Sequence, residues 1–415
     1  MSLKGEVKMN IKRLLQSKRK GSTIVLVMIV LVILLLAGAG LLNLGLQSRL
    51  AAVRDASEIS ARCAADAGLA KALYEMNQKL EGGGWSDSNL PYATYEPLPG
   101  CDATFGYTVT PEDSNSTTTY TIDSSGSSGA SQRSVSADLR VKGLFDNAIL
   151  VMDRMALMPN ITVKGLNSMD AGDTDFDVKI GTLSVAEDRI TLGPGAVVEG
   201  DAFVGVGGDP AYTMGAGGTV TGNKYALIEE PPTPVITAPA MTDMGTSLSI
   251  MANTTIGPSA NGKYTGFNVN GSTTLTVGGG DVVLDITGNV TIGNSAIVAL
   301  QAGSTLTVYI NGTLIMNNGS GFLNDNPYCG TLKIFSTTTE DRIYDMKAKS
   351  KVFGVIYAPT ADLALYSGAE VVGSIVCNFL DMKSGGTFYY DEALRNVTPY
   401  EEGTYFVVER WSEQQ

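Results

Sequence analysis

Nineteen consecutive residues, Ile24–Leu42 (IVLVMIVLVILLLAGAGLL), carry no charged or hydrogen-bonding side chain. As a helix this run is about 28 Å long, the hydrocarbon thickness of a bilayer. The charge-free stretch extends from Gly21 to Ser48. Signal-peptide cores are shorter, about 7–15 residues, and end in a small-residue cleavage pattern that is absent here. The expectation is therefore one spanning helix, with Ile24, Leu34 and Leu42 marking the anchor. Charge orients it. Residues 1–20 hold seven basic side chains, among them the cluster Lys18, Arg19 and Lys20, and one acid; the rest of the chain holds 22 basic and 41 acidic residues. Such a distribution keeps the amino end in the cytoplasm and places the acidic bulk outside.

Composition removes several chemistries. The 415-residue chain has no histidine, which excludes His-based catalytic relays, His-ligated zinc or haem, and an imidazole pH switch. A net charge of −13 argues against a nucleic-acid partner. No cofactor is expected.

The helical pattern continues past the apolar run. Arg49–Leu80 has no proline and one glycine, and Leu50, Val53, Ala56 or Ser57, Ile59 or Ser60, Cys63, Ala67, Ala70, Leu73 or Tyr74 and Leu80 form an approximate stripe. Arg54–Glu58, Arg62–Asp66 and Glu75–Lys79 are opposite charges four apart, suited to a solvated face. Glu81 and the run Gly82–Gly84 end the pattern.

Lys18–Gly21, Ser22–Leu36, Arg49 and AADAGLAKAL (Ala64–Leu73) together resemble the amino-terminal region of PilX-like type IV pilus assembly proteins, which are minor pilins or pseudopilins. The resemblance implies a leader cut by a prepilin peptidase between Gly21 and Ser22, and a helix that serves first as anchor and then as filament core. It implies as partners the lipid bilayer, the peptidase, other pilin-like subunits and inner-membrane pilus or pseudopilus assembly proteins. Two positions depart from the family pattern: Ser22 stands where Phe or Met is usual, and Leu26 where Glu is usual. Without that carboxylate the ordinary docking contact of a shaft subunit is missing, which favours a rare tip or assembly subunit. An uncleaved, simply anchored protein is the alternative.

Residues 82–145 carry candidate strands at Thr104–Thr110, Thr117–Asp123 and Ser131–Val141, rich in Thr, Val and Tyr. They predict a small antiparallel sheet covered on one face by the second half of the long helix. Beyond Leu144 the chain becomes short apolar bursts broken by Gly or Asn. DITGNVTI (Asp285–Ile292) recurs as YINGTLIM (Tyr309–Met316), 24 residues on, and GVIYA (Gly354–Ala358) as GSIVC (Gly373–Cys377), 19 residues on. These spacings suit the coils of a β-helix, with a β-sandwich as the competing architecture. The fold class is thus mainly β with one long amino-terminal helix. Its parts are a basic leader (1–21), the helix (22–81), a small pilin-like sheet (82–145), a first solenoid part (146–228), a proline-rich crossover or linker (229–262) and a carboxy-terminal solenoid (263–415). GVIYAP (Gly354–Pro359) and YYDEAL (Tyr389–Leu394) resemble the uncharacterised β-rich domain attached to PilX-like amino termini, for which no catalytic residues are defined.

Candidate chemistry is sparse. Asp170, Asp173, Asp175 and Asp177 form an acidic loop that could bind a cation weakly, although the glycine and distal Glu of a calcium loop are misplaced. Gly205–Pro210 lacks the Lys-Ser/Thr of a phosphate loop. Cys63, Cys101, Cys329 and Cys377 contain no CxxC; domain layout suggests pairs Cys63–Cys101 and Cys329–Cys377, with buried free thiols as the alternative. The expectation is a non-enzymatic component that primes or caps a type IV pilus or pseudopilus at a bacterial inner membrane and displays a β-rich head. A membrane-anchored adhesive or glycan-binding module is the second reading, and a polysaccharide-degrading β-helix the third.

Overall fold

The computed structural model describes residues 22–81, 85–111, 119–170, 172–173, 175–176, 178–215 and 217–414. A single helix, α1 (Ser22–Glu81), opens the chain. Five antiparallel strands pack on its second half in the order β1 (Tyr92–Pro97), β2 (Thr104–Pro111), β3 (Thr119–Ser128), β4 (Ser131–Lys142) and β5 (Tyr405–Gln414). The last strand of this sheet is thus the end of the chain, and everything from 143 to 404 is inserted between β4 and β5. The segment 263–415 is therefore not solenoid throughout: Tyr405–Gln414 leaves the coils to pair with Ser134–Lys142.

The helix face that meets the sheet is made of small residues. Ala61, Ala64, Ala65 and Ala72 are fully buried, with Leu69 and Met76, at spacings of three and four. A Cβ on Gly126 of β3 would lie 2.1 Å from the Ala61 carbonyl oxygen, so helix and sheet touch backbone to backbone. The expected Leu50–Leu80 stripe meets this face only in part: Leu50, Val53, Ile59, Cys63 and Ala70 are exposed, whereas Ala67, Leu73 and Leu80 are half-buried against the core. Hydropathy ranks Leu and Val above Ala, but only Ala and Gly fit so close an approach. The charges are likewise used across the interface, with Glu58 paired to Arg133, Arg62 to Glu413 and Lys71 to Glu96, while Glu75 flanks Lys71 on the helix itself. Trp85, Tyr120 and Phe406 close the end of this core, with ring centroids 5.2–5.6 Å apart.

The inserted part is a parallel β-solenoid with three strands to a coil. From Leu248–Ile250 to Gly321–Asn324 each strand pairs with the third one following, through Phe267–Val269, Val290–Ile292 and Leu314–Met316 on one face. Both sequence echoes are stacking registers: Asp285 pairs with Tyr309 and Val290 with Leu314, and Gly354–Ala358 pairs with Gly373–Cys377 residue by residue. Inward Val, Ile and Leu form a continuous core that is separate from the core under α1.

Stacking order differs from chain order. The coil ending in Glu370–Met382 and Thr387–Asp391 lies on Ile149–Leu157 and Thr162–Leu166. The chain therefore enters the solenoid in its middle and winds to one end at Lys224–Ala226. It then crosses back along the side and restarts at the far end with Leu248–Ile250. Strands thus begin inside the segment expected as a linker, 229–262. One outer column runs the whole length, from Tyr225 through Phe203, Gly181, Leu150, Val376, Tyr357, Phe335 and Tyr309 to Asp285 and Lys263. Most of it is buried, because the crossover and the neck to the sheet lie over it.

Candidate functional site

Two features could carry function: the uncovered half of α1, and the way the solenoid is fixed to the other half. From Ile24 to Leu50 the large apolar side chains of α1 are exposed, with Ile24, Leu34 and Leu42 at 75, 66 and 77 %. Among the described residues this is the one helix long and apolar enough to cross a membrane. A spanning anchor and a signal sequence both meet that description. An apolar surface of this extent is not stable in water and requires lipid or other helices around it. Ser22 begins the helix. Lys18, Arg19, Lys20 and Gly21 lie outside the described residues.

The neck between sheet and solenoid is polar and cross-braced. The Tyr390 hydroxyl donates to the carbonyls of Phe145 and Asp146, each at 3.0 Å, and Arg395 Nε donates to the Asp146 carbonyl at 3.1 Å. The Asp146 carboxylate lies 3.7 Å from Arg140 and 3.6 Å from Lys142. On the passage leading back to β5, Glu402 accepts from the Tyr309 hydroxyl at 2.9 Å and Glu401 faces Lys333 at 3.6 Å. Phe145 stacks on Phe335, and the Tyr357 hydroxyl holds the crossover through the Pro234 carbonyl at 2.8 Å. Two chain passages and a set of hydrogen bonds thus join the head to the helix-bearing sheet, which suits transmission of orientation and load.

The sequence signals for chemistry resolve into structural roles. Asp170 and Asp175 are exposed and Asp173 is half-buried; Asp177 lies outside the described residues. Asp170 accepts from the Gly172 amide at 2.9 Å, and Asp173 accepts from Asn167 at 2.9 Å and from the Asp175 amide at 3.1 Å. These hydrogen bonds hold the Asp173 carboxyl below its ordinary pKa. The Asp170 and Asp173 carboxylates help close the turn, and among the described residues no group of three acidic, Cys or His side chains is arranged to hold a metal. All four cysteines are free thiols, so neither expected pair is formed. Cys63 sits on the solvent side of α1 and Cys101 on an exposed turn, while Cys329 and Cys377 are buried in the solenoid.

One polar centre escaped the sequence reading. Asp391 is fully buried and accepts from the Ser168 amide and hydroxyl at 3.0 and 2.6 Å and from the Ala393 amide at 3.2 Å. It ties the loop after one coil to the short helix that leaves the last one. Its signal was only YYDEAL, where an Asp precedes a helical turn as a cap.

A family model described as "Domain of unknown function (DUF7305)" matches residues 241–397. No curated protein matches the chain. Among solved structures, the competence-associated pilin ComZ from Thermus thermophilus aligns at 14 % identity over 86 % of this chain and 97 % of its own, with a TM-score of 0.25. Two ice-binding proteins, from the Antarctic ascomycete Antarctomyces psychrotrophicus and from an Arctic yeast, align at 13 and 17 % identity. Each covers 59 % of this chain, and they align over 94 and 90 % of their own lengths with TM-scores of 0.30.

Proposed function

We propose that this chain is a membrane-anchored, pilin-like structural subunit that carries a β-solenoid head and acts in priming or capping a type IV pilus or a secretion pseudopilus. The observation that supports the reading best is the division of α1. Its second half packs as the core element under a five-stranded sheet, whereas the apolar side chains of its first half are exposed. A helix divided in this way fits one body that is held in lipid and later handed to a bundle of like helices. In this reading Lys18, Arg19 and Lys20 stay cytoplasmic, a prepilin peptidase cuts between Gly21 and Ser22, and the head faces the outside of a bacterial inner membrane. Its partners are other pilin-like subunits and the inner-membrane assembly proteins. Leu26 in place of a carboxylate supports a role at the end of a filament, since a shaft subunit would need the charge pairing that Leu cannot make.

Mass spectrometry of the mature amino terminus, from cells with and without a prepilin peptidase, tests this reading. A free Ser22 that depends on the peptidase is the expected result. An intact Met1 in folded, membrane-bound protein removes the assembly role and leaves only an anchored head.

A further inference from the structure

An open cleft of about 1070 Å³ lies where the crossover, the neck and the end of α1 meet the solenoid. It exceeds the usual range of small-ligand sites, about 300–1,000 Å³, and so has room for several linked rings. Its apolar lining sets aromatic rings beside the prolines of the crossover and several aliphatic side chains. Tyr225 packs on Phe203 with centroids 6.1 Å apart, and Tyr400, 63 % exposed, stands in the same cleft. Its charged lining is mostly acidic: Glu229 and Glu230 enter from the crossover and make no ion pair among the described residues, Asp146, Glu401 and Glu402 enter from the neck, and Lys142 and Lys179 are its two basic side chains, Lys142 lying 3.6 Å from Asp146. Burial, with Asp146 and Glu229 nearby, pushes the pKa of the Tyr405 hydroxyl up, so it remains a neutral donor.

This combination selects a ligand class. An apolar ligand would strip water from Glu229 and Glu230 without replacing its hydrogen bonds, which is costly. A polyanion would meet five acidic side chains against two lysines, with Glu229 and Glu230 unpaired among the described residues. A sugar ring satisfies both linings, since its C–H face packs on an aromatic ring while its hydroxyls donate to carboxylates and accept from Tyr405. We propose that this cleft binds a neutral oligosaccharide, with Tyr225 and Tyr400 as ring platforms and Glu229 and Glu230 as hydroxyl acceptors. The site does not depend on the pilus role, and either can fail without the other.

The test is titration of the full chain in lipid nanodiscs, where no maltoside detergent competes, with cellohexaose, chitohexaose, maltohexaose and oligogalacturonate, read by saturation-transfer NMR and calorimetry. Saturable binding of at least one neutral hexaose, with none of oligogalacturonate, is expected. Tyr400→Ala should weaken it about fivefold or more, as loss of an aromatic contact does. Tyr212→Ala, which removes an exposed tyrosine outside the cleft, should leave it unchanged, and matched thermal unfolding would show that both variants are folded. The proposal is overturned if no neutral hexaose saturates at millimolar concentration, if Tyr400→Ala binds as well as the parent, or if the acidic oligomer binds best.

Discussion

At Gly181 a Cβ would stand 2.2–2.4 Å from three atoms of the Phe203 ring, which lies in the space the missing side chain leaves. The position has an ordinary backbone angle, so the demand for glycine there is steric alone. Gly181→Ala should destabilise the solenoid by about 1–3 kcal/mol through displacement of the ring. Phe203→Leu in the same chain should recover part of that loss, a coupling that denaturant unfolding of the two single variants and the double variant measures. The cysteines give a second residue-scale prediction. Burial pushes the Cys329 and Cys377 thiols well up, whereas Cys63 and Cys101 face solvent. Native protein treated with iodoacetamide should therefore label at Cys63 and Cys101, and at the other two only after denaturation, even in the ordinary thiol range of about pH 8–9. A folded-state pKa raised for an acid means that the unfolded chain loses those protons first. The part of stability owed to the buried thiols is therefore complete below about pH 8.5 and falls as pH rises past it. Rapid native labelling of Cys377 would contradict the buried placement.

Among the elements, β5 is the edge of its sheet, and an unprotected edge invites strand pairing from other chains. Asn77 of α1 closes it. Its amide oxygen accepts from the Phe406 N–H at 2.7 Å, and its amide nitrogen donates to the Phe406 carbonyl at 3.3 Å, as a neighbouring strand would. A register shift between Val408 and Arg410 disrupts the edge further on. Asn77→Ala should cost about 1 kcal/mol and speed hydrogen exchange at Phe406 while leaving exchange in the coils unchanged. In the sequence Asn77 is one polar residue among several on the helix; nothing local distinguishes it from a solvated side chain. The alanine face was similarly hidden. The residues were visible, but their significance follows from how near Gly126 brings the sheet, and that distance belongs to no single element.

For the whole molecule, the sheet and the solenoid have separate cores joined by two chain passages. Deleting Tyr405–Gln414 should strip β4 of one partner strand and expose Trp85 and Tyr120, which pack against Phe406. Hydrogen exchange by mass spectrometry should then show lost protection across Ser134–Lys142 with the coils from Leu248 to Met382 still protected. Loss of protection in both would mean that the two cores fold as one unit.

The amino-acid order alone determined the long apolar helix and the coil content of the head. These rest on hydrophobic runs and short repeats, which are local and survive without knowledge of what lies opposite. Two of the coil registers were legible for the same reason, since each coil stacks on its neighbour at the spacing of the repeat. Tertiary structure alone decided that the chain enters the solenoid at its middle, that its last strand returns to the first sheet, and that Asp391, Asn77 and the cleft exist. Each of these joins residues far apart in the chain, and no local pattern records a pairing whose partner is set by the path of the chain between them.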